Sequence, residues 1–302
     1  MLLLVQRYYD RKEHQMILLN KKFIPFYITA VFLIATSIMI VRFTSTHEVK
    51  NQETTTTQAQ TPVYINGNVP YYPDIPVSSY MKENFTMIDG RIAYTDNSVS
   101  YTTGIDVSSF QGDIDWEAVA EDGIDFAIIR AGLRGYGASG NIYEDEKARE
   151  NLRNAAAAGI QTGVYFYSQA ITPEEAAEEA EFVLDIIKDF RIEAPVVFDW
   201  ENEPDVAMRT DNLDSYTLNL CAIAFCEKIK EAGYTPAVYF NLTDAYTRYD
   251  LDKIKDCVFW YAQHEGAAPE FYYSYNIWQY SDNGEVNGID GRVDLNICFN
   301  AG

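Results

Sequence analysis

Residues 194–201 read Ala-Pro-Val-Val-Phe-Asp-Trp-Glu. The apolar run has the length and β-branched content of a strand buried on both faces, as in a parallel sheet. It ends in two carboxylates, Asp199 and Glu201. Side chains two apart on a strand share a face, with Cα atoms roughly 6.5–7 Å apart. In such a pair each acid raises the other's pKa, so one keeps its proton near neutral pH. That is what a general acid needs when a glycosidic oxygen departs. A lone D-x-E is better explained by structural hydrogen bonds to loop amides or to an arginine. The neighbouring segments therefore decide between the two.

Seven more segments read as strands: Gly104–Val107, Phe126–Ala131, Gln161–Ser168, Pro236–Asn241, Val258–Ala262, Tyr275–Tyr280 and Arg292–Ile297. Helical stretches lie between the earlier ones. Tyr143–Ala158 stops at Gly159, a suitable C′ residue. Thr172-Pro173-Glu174-Glu175 forms a capping box with proline at the first helical position, opening a helix to about Phe190. Leu213–Ala232 ends at Gly233. Glu174, Glu175, Glu178, Glu179 and Glu181 read as a solvated helix face without a catalytic role. The alternation suggests parallel β/α units, and after about Asp256 the strands crowd together. An α/β fold follows: an irregular eight-stranded (β/α) TIM-like barrel with an incomplete helical ring. An open doubly wound sheet is the alternative.

In a barrel the C-terminal strand ends face the active site. Asp106 lies in the opening strand (Gly104-Ile-Asp-Val-Ser-Ser-Phe-Gln-Gly112) and Asp294 in the last (Gly291-Arg-Val-Asp-Leu-Asn296). Closure makes these strands neighbours, so both acids converge on the mouth that holds Asp199 and Glu201. Tyr165, Tyr167, Gln169, Trp200, Tyr239, Trp260, Gln263, Trp278 and Gln279 recur at strand ends. Packing accounts for any one of them. Together they suit a cleft in which flat rings stack on sugar faces.

The charge is uneven. Residues 1–100 carry nine Lys/Arg and eight Asp/Glu, whereas residues 101–302 carry fourteen and thirty-seven. So acidic a domain repels phosphates, which excludes a nucleic-acid partner. Phe23–Val41 is a nineteen-residue run without a charge, just long enough to cross a hydrocarbon core of about 30 Å. Arg7, Arg11, Lys12, Lys21 and Lys22 precede it, so the positive-inside rule puts residues 1–22 in the cytoplasm and the bulk of the chain outside. We expect 23–41 to be a single-pass membrane anchor. The alternative is secretion after signal cleavage, but the run is long for a signal segment and no clear A-x-A site follows. A flexible Thr/Gln-rich tether runs to about Pro62, and residues 42–100 as a whole read as an extracytoplasmic linker or stalk, of which 63–100 can pack on the main domain. Residues 101–302 are the candidate catalytic domain. Cys221, Cys226, Cys257 and Cys298 are either buried thiols or disulfide partners, Cys257 with Cys298 being one unsupported pairing. No C-x-x-C occurs, and neither a metal nor a cofactor is called for.

The segments GIDVSSFQGDIDW, APVVFDWE, FWYAQH and IWQYSDNGEVNGIDGRVDLN, in this order, resemble the family 25 glycoside hydrolases, the Chalaropsis-type lysozymes. The resemblance runs from about Gly104 to Phe299. It implies an N-acetylmuramidase acting on peptidoglycan glycan strands, within an irregular (β/α) barrel. It also implies Glu201 as proton donor, Asp199 assisting at the anomeric side, and Asp106 and Asp294 lining the same cleft. Retention of configuration is the expected outcome, with Asp199 either attacking carbon 1 or orienting the substrate's own N-acetyl group. The family often has Lys-Ala-(Thr/Ser)-Glu-Gly where this chain has Arg130-Ala-Gly-Leu-Arg-Gly135, which leaves the contacts of that strand open. Two rivals remain at this stage: a chitinase-like glycosidase, and a tethered wall-binding scaffold without activity.

Overall fold

The computed structural model describes residues 64–65, 69–202 and 206–299. The chain divides into two compact units, 1–61 and 62–302, and the described residues belong to the second. The expected anchor at 23–41 and the tether after it lie outside the described residues. Among the described residues no helix is long and apolar enough to cross a membrane.

In chain order the strands are β1 (Tyr64–Ile65), β2 (Val69–Pro70), β3 (Phe85–Ile88), β4 (Arg91–Tyr94), β5 (Tyr101–Val107), β6 (Phe126–Arg134), β7 (Ile142–Glu144), β8 (Gln161–Tyr167), β9 (Val196–Asp199), β10 (Pro236–Asn241), β11 (Val258–Ala262), β12 (Ile277–Gly284) and β13 (Val293–Phe299). The α-helices are α1 (Trp116–Glu121), α2 (Ala148–Ala157), α3 (Pro173–Ile187), α4 (Ser215–Glu231), α5 (Leu242–Thr247) and α6 (Leu251–Ile254). Eight strands, β5, β6 and β8 to β13, close into the expected barrel because β5 pairs with both β6 and β13. From β5 through β12 the successive pairings are parallel, whereas β13 runs antiparallel to both neighbours. An all-parallel barrel is therefore not what forms. The reversal has a consequence for the site: β13 begins at the rim where the other strands end, so Asp294, its second residue, reaches the same rim as Asp106.

Alternation along each strand separates two packing layers. Phe126, Ile128, Val197, Ala237, Trp260 and Ile277 fill the barrel interior. Ile105, Val107, Val164, Phe166, Val196, Phe198, Val238 and Phe240 face the helices. Phe126 fills the floor under β5 so closely that a Cβ on Gly104 would overlap its ring. Helices α3 and α4 start on side-chain caps, Thr172 accepting from the Glu175 N–H and Asp214 from the Thr217 N–H. Gly159 and Gly233 follow α2 and α4 at φ 84° and 88°, left-handed values suited to glycine.

No helix separates β11, β12 and β13. The segment before the barrel covers that side instead. Phe85 packs edge-on to Trp278 at 5.4 Å, and Tyr80 stacks on Phe299 at 4.1 Å. Tyr94 adds an edge contact to Phe299. The Tyr273 hydroxyl donates to the Pro70 carbonyl at 2.5 Å. Ile75, Phe85, Ile92 and Tyr94 thus join the same buried cluster as the outward faces of the barrel strands.

Several local expectations change. The helix expected from Tyr143 starts only at Ala148, because Ile142–Glu144 pairs with β6 as a short edge strand. Glu175 reaches back to the Ile171 N–H (2.9 Å) rather than to that of Thr172, so the capping box is not closed. Glu179 is fully buried rather than solvated, since it shares the inner face of α3 with Ala176, Ala180 and Val183. It pairs with Arg134 at 2.7 Å and accepts from the Ser168 hydroxyl at 2.6 Å. Burial pushes its carboxyl up to about 7 against the pull of those two partners. All four cysteines are free thiols, Cys257 beside Cys226 rather than joined to Cys298.

Candidate active site

The interior rings form a floor, and the polar groups stand above it. On one wall Asp294 lies directly opposite Asp106 in the β13–β5 register. Asp106 accepts hydrogen bonds from Gln279 Nε2 (3.0 Å) and Asn296 Nδ2 (2.7 Å). A carboxyl–carboxylate hydrogen bond joins it to Asp294. Burial raises both acids, Asp106 to about 6 and Asp294 to about 8, with the charge of Asp106 adding to the rise at Asp294. Asp294 therefore keeps the proton and the pair bears one negative charge at neutral pH.

This wall is fixed by its neighbours. Gln279 Oε1 accepts from the Tyr239 hydroxyl (2.9 Å) and meets His264 Nε2 at 2.8 Å. Since that oxygen only accepts, Nε2 carries the hydrogen. The Trp260 indole donates to Asn296 Oδ1 at 2.8 Å.

On the other wall Asp199 closes β9, in register with Tyr167 on β8 and Tyr239 on β10. It is buried, and Glu201, just beyond the strand end, is half-buried. Burial first, then the charges of Glu201 and Asp199, hold the Tyr167 and Tyr239 phenols well above their ordinary range. Both phenols are thus hydrogen-bond donors at neutral pH. Tyr239 feels Asp106 and Asp294 as well, so all four acids expected from the sequence converge on one space. They line a cleft of about 520 Å³ with Arg130, Tyr165, Tyr167, Tyr239, Trp260 and Gln279.

Four expected site residues lie elsewhere. Trp200 and Trp278 alternate with inward-facing Asp199 and Gln279, so they point away from the cleft into the outer layer. Trp200 lies under the Arg248 guanidinium at 4.6 Å, and the Trp278 indole donates to the Gln263 carbonyl at 3.0 Å. Gln263 secures the loop after β11, accepting from the Tyr261 hydroxyl (2.5 Å) and the Glu270 N–H (2.8 Å). Gln169, buried, accepts from Thr210 at 3.0 Å instead of reaching the cleft.

Other residues in and around the cleft escaped the sequence reading. Asn296 was legible, being two residues beyond Asp294 on the same strand face. His264 and Phe110 sit in loops, where no periodicity marks direction. Arg130, left open by its unusual strand, enters the cleft wall braced by Asp145 at 2.7 Å. Among the described residues no group of three or more His, Cys, Asp or Glu is arranged to hold a metal ion.

Comparison with known proteins agrees with this architecture. The family model for glycosyl hydrolases family 25 matches residues 105–289. The autolytic lysozyme of Clostridium acetobutylicum is 30% identical over 192 residues, covering 64% of this chain and 54% of that protein. Lysozyme M1 of Streptomyces globisporus is 29% identical over 204 residues, covering 64% and 66%. The chain thus spans about half the length of the first and just under two thirds of the second. Among solved structures, the modular autolysin LytC of Streptococcus pneumoniae superposes with a TM-score of 0.60 at 27% identity, over 72% of this chain and 52% of that one. The bacterial lysozyme of Streptomyces coelicolor gives 0.56 at 27% identity, over 67% and 93%. The match of the family model to more than half of the chain, over the segment that contains Asp106, Asp199 and Glu201, establishes that the chain belongs to glycosyl hydrolases family 25.

Proposed function

We propose that the chain is a peptidoglycan hydrolase that cleaves the β-1,4 bond between N-acetylmuramic acid and N-acetylglucosamine. The observation that carries this proposal is the convergence of Asp106, Asp199, Glu201 and Asp294 on one ring-lined cleft. The lysozymes and autolysins among its relatives support it.

Glu201 is the general acid. It sits past the strand end, half-buried, where it can meet a glycosidic oxygen and exchange its proton with water. As Glu201 delivers that proton, the bond from carbon 1 to the leaving oxygen breaks. The D-x-E spacing, with both groups presented together at the end of β9, favours assistance by the substrate's own acetamido group. Its oxygen bonds to carbon 1 while Asp199, held between two tyrosines, accepts from its N–H. Water then attacks carbon 1 as its bond to the acetamido oxygen breaks and the acetamide is restored; the water gives its proton to Glu201, and configuration is retained. Across the cleft the singly charged Asp106–Asp294 pair stabilises the positive charge that develops at the sugar.

We also propose that residues 23–41 anchor the chain in the cell membrane, with the catalytic domain outside. Tethering then offsets the repulsion between an acidic domain and an anionic wall by raising the local substrate concentration.

Digestion of purified peptidoglycan by the full chain, followed by borohydride reduction and mass spectrometry, tests the activity. Reduced N-acetylmuramic acid ends are expected. Reduced N-acetylglucosamine ends would point to the chitinase-like rival, and wall binding without released ends to the scaffold.

A further inference from the structure

Phe110 lines the cleft but contributes little to the fold: 85% of its surface is exposed. A large ring left in water forgoes the burial that stabilises the aromatic residues around it. Phe110 is nonetheless held in place. It lies in the short 3-10 turn Ser109–Gln111, closed by a capping box between Ser108 and Gln111. The Ser108 hydroxyl accepts from the Phe110 N–H at 3.2 Å, and Gln111 Oε1 accepts from the Ser108 N–H at 2.9 Å.

One face of the ring is backed by the Arg130 guanidinium, 4.9 Å from its centroid. That guanidinium is itself fixed by Asp145 at 2.7 Å and by the Ser109 hydroxyl at 3.1 Å. Asp145 is buried and also accepts from the Ser109 N–H at 3.1 Å, which ties the turn to the same anchor. Arg130 on β6 and Asp145, just past β7, thus back one face of a ring that is otherwise largely exposed. The next loop around the rim adds Tyr136, 43% exposed and also lining the cleft. A preset aromatic surface beside a polar cleft matches a pyranose ring, with its apolar C–H face and polar edge.

We propose that Phe110 is a sugar-stacking platform, binding an N-acetylhexosamine ring of the glycan strand on the β5–β6 side of the catalytic carboxylates. This rests on the glycan-hydrolase function proposed above. Phe110 would decide how firmly the strand is gripped beyond the cleavage point, and Arg130 positions it.

Calorimetric titration of the full chain carrying Glu201→Gln with a peptide-free tetrasaccharide of alternating N-acetylglucosamine and N-acetylmuramic acid tests this without turnover. Adding Phe110→Ala should weaken the Kd by about tenfold, or about 1.4 kcal/mol. Phe110→Trp should restore it, and the melting temperature should not move. A Kd unchanged by Phe110→Ala, or no binding in the Glu201→Gln background, overturns the platform. Release of reducing ends by the wild-type chain is read separately. If those ends are absent while Phe110→Ala still weakens binding, the hydrolase proposal fails and the platform stands.

Discussion

Asp294 sits opposite Asp106 in the antiparallel seam that closes the barrel, where burial and the charge of Asp106 hold the Asp294 carboxyl above its ordinary range. A (β/α) barrel brings acids to its mouth from the C-terminal ends of parallel strands. Here the reversed last strand adds one from its beginning, and the pair forms a wall across from Asp199 and Glu201.

This pairing predicts how stability depends on pH. An unfolded aspartic acid titrates near about 3.9, whereas folded Asp294 titrates at about 8. Between those values the folded chain holds a proton that the unfolded chain has released. The contribution of this group is therefore fully present below about pH 4 and is lost as pH rises through about 8. Asp294→Asn keeps a donor toward Asp106 and has no proton to lose. The wild-type melting temperature should fall more steeply between about pH 5 and pH 9 than that of the variant. Glu179, raised for a different reason, acts equally in both proteins and cancels. Equal slopes would contradict the proton held on Asp294.

The hairpin before the barrel should be part of the folding unit. Phe85 is buried against Trp278 and Phe299 on the side without helices. Phe85→Ala should cost about 3–5 kcal/mol in denaturant unfolding. A chain trimmed to 101–302 should expose that aromatic face and melt earlier. A trimmed chain as stable as the full one would show that the segment merely rests on the surface.

Arg134 tests the buried ionic cluster. Its guanidinium bonds Glu178 and Glu179 and the carbonyls of Gly140 and Glu175. Arg134→Met leaves Glu179 buried without its cation and should destabilise by about 3–5 kcal/mol. Glu179→Gln, which leaves no buried negative charge, should cost less. Equal losses would mean that packing, not charge, dominates there.

Much of the barrel was legible because apolar runs and strand length are local properties. All eight barrel strands appear where the apolar runs place them. Asp106, Asp199, Glu201 and Asp294 were found for the same reason: a carboxylate at the end of an apolar strand has few places to go. The direction of β13 was not legible, since the same residues serve a parallel or an antiparallel edge. Trp200 and Trp278 were misplaced by counting strand-end rings without following the alternation that turns them outward. Glu179 looked solvated among four other glutamates, and only the helix phase against Ala176 and Val183 separates it from them. Phe110 and His264 lie in loops, whose conformations depend on partners remote in sequence, Arg130 and Gln279.

The most direct test compares Glu201→Gln with the wild-type chain for release of reducing N-acetylmuramic acid ends from purified peptidoglycan. The variant should keep the wild-type melting temperature and wall binding and lose activity by about 10²–10⁴-fold, the usual contribution of a positioned general acid. A variant that releases the same ends at a rate close to wild type would contradict the assignment of the proton donor and, with it, the catalytic role of this cleft.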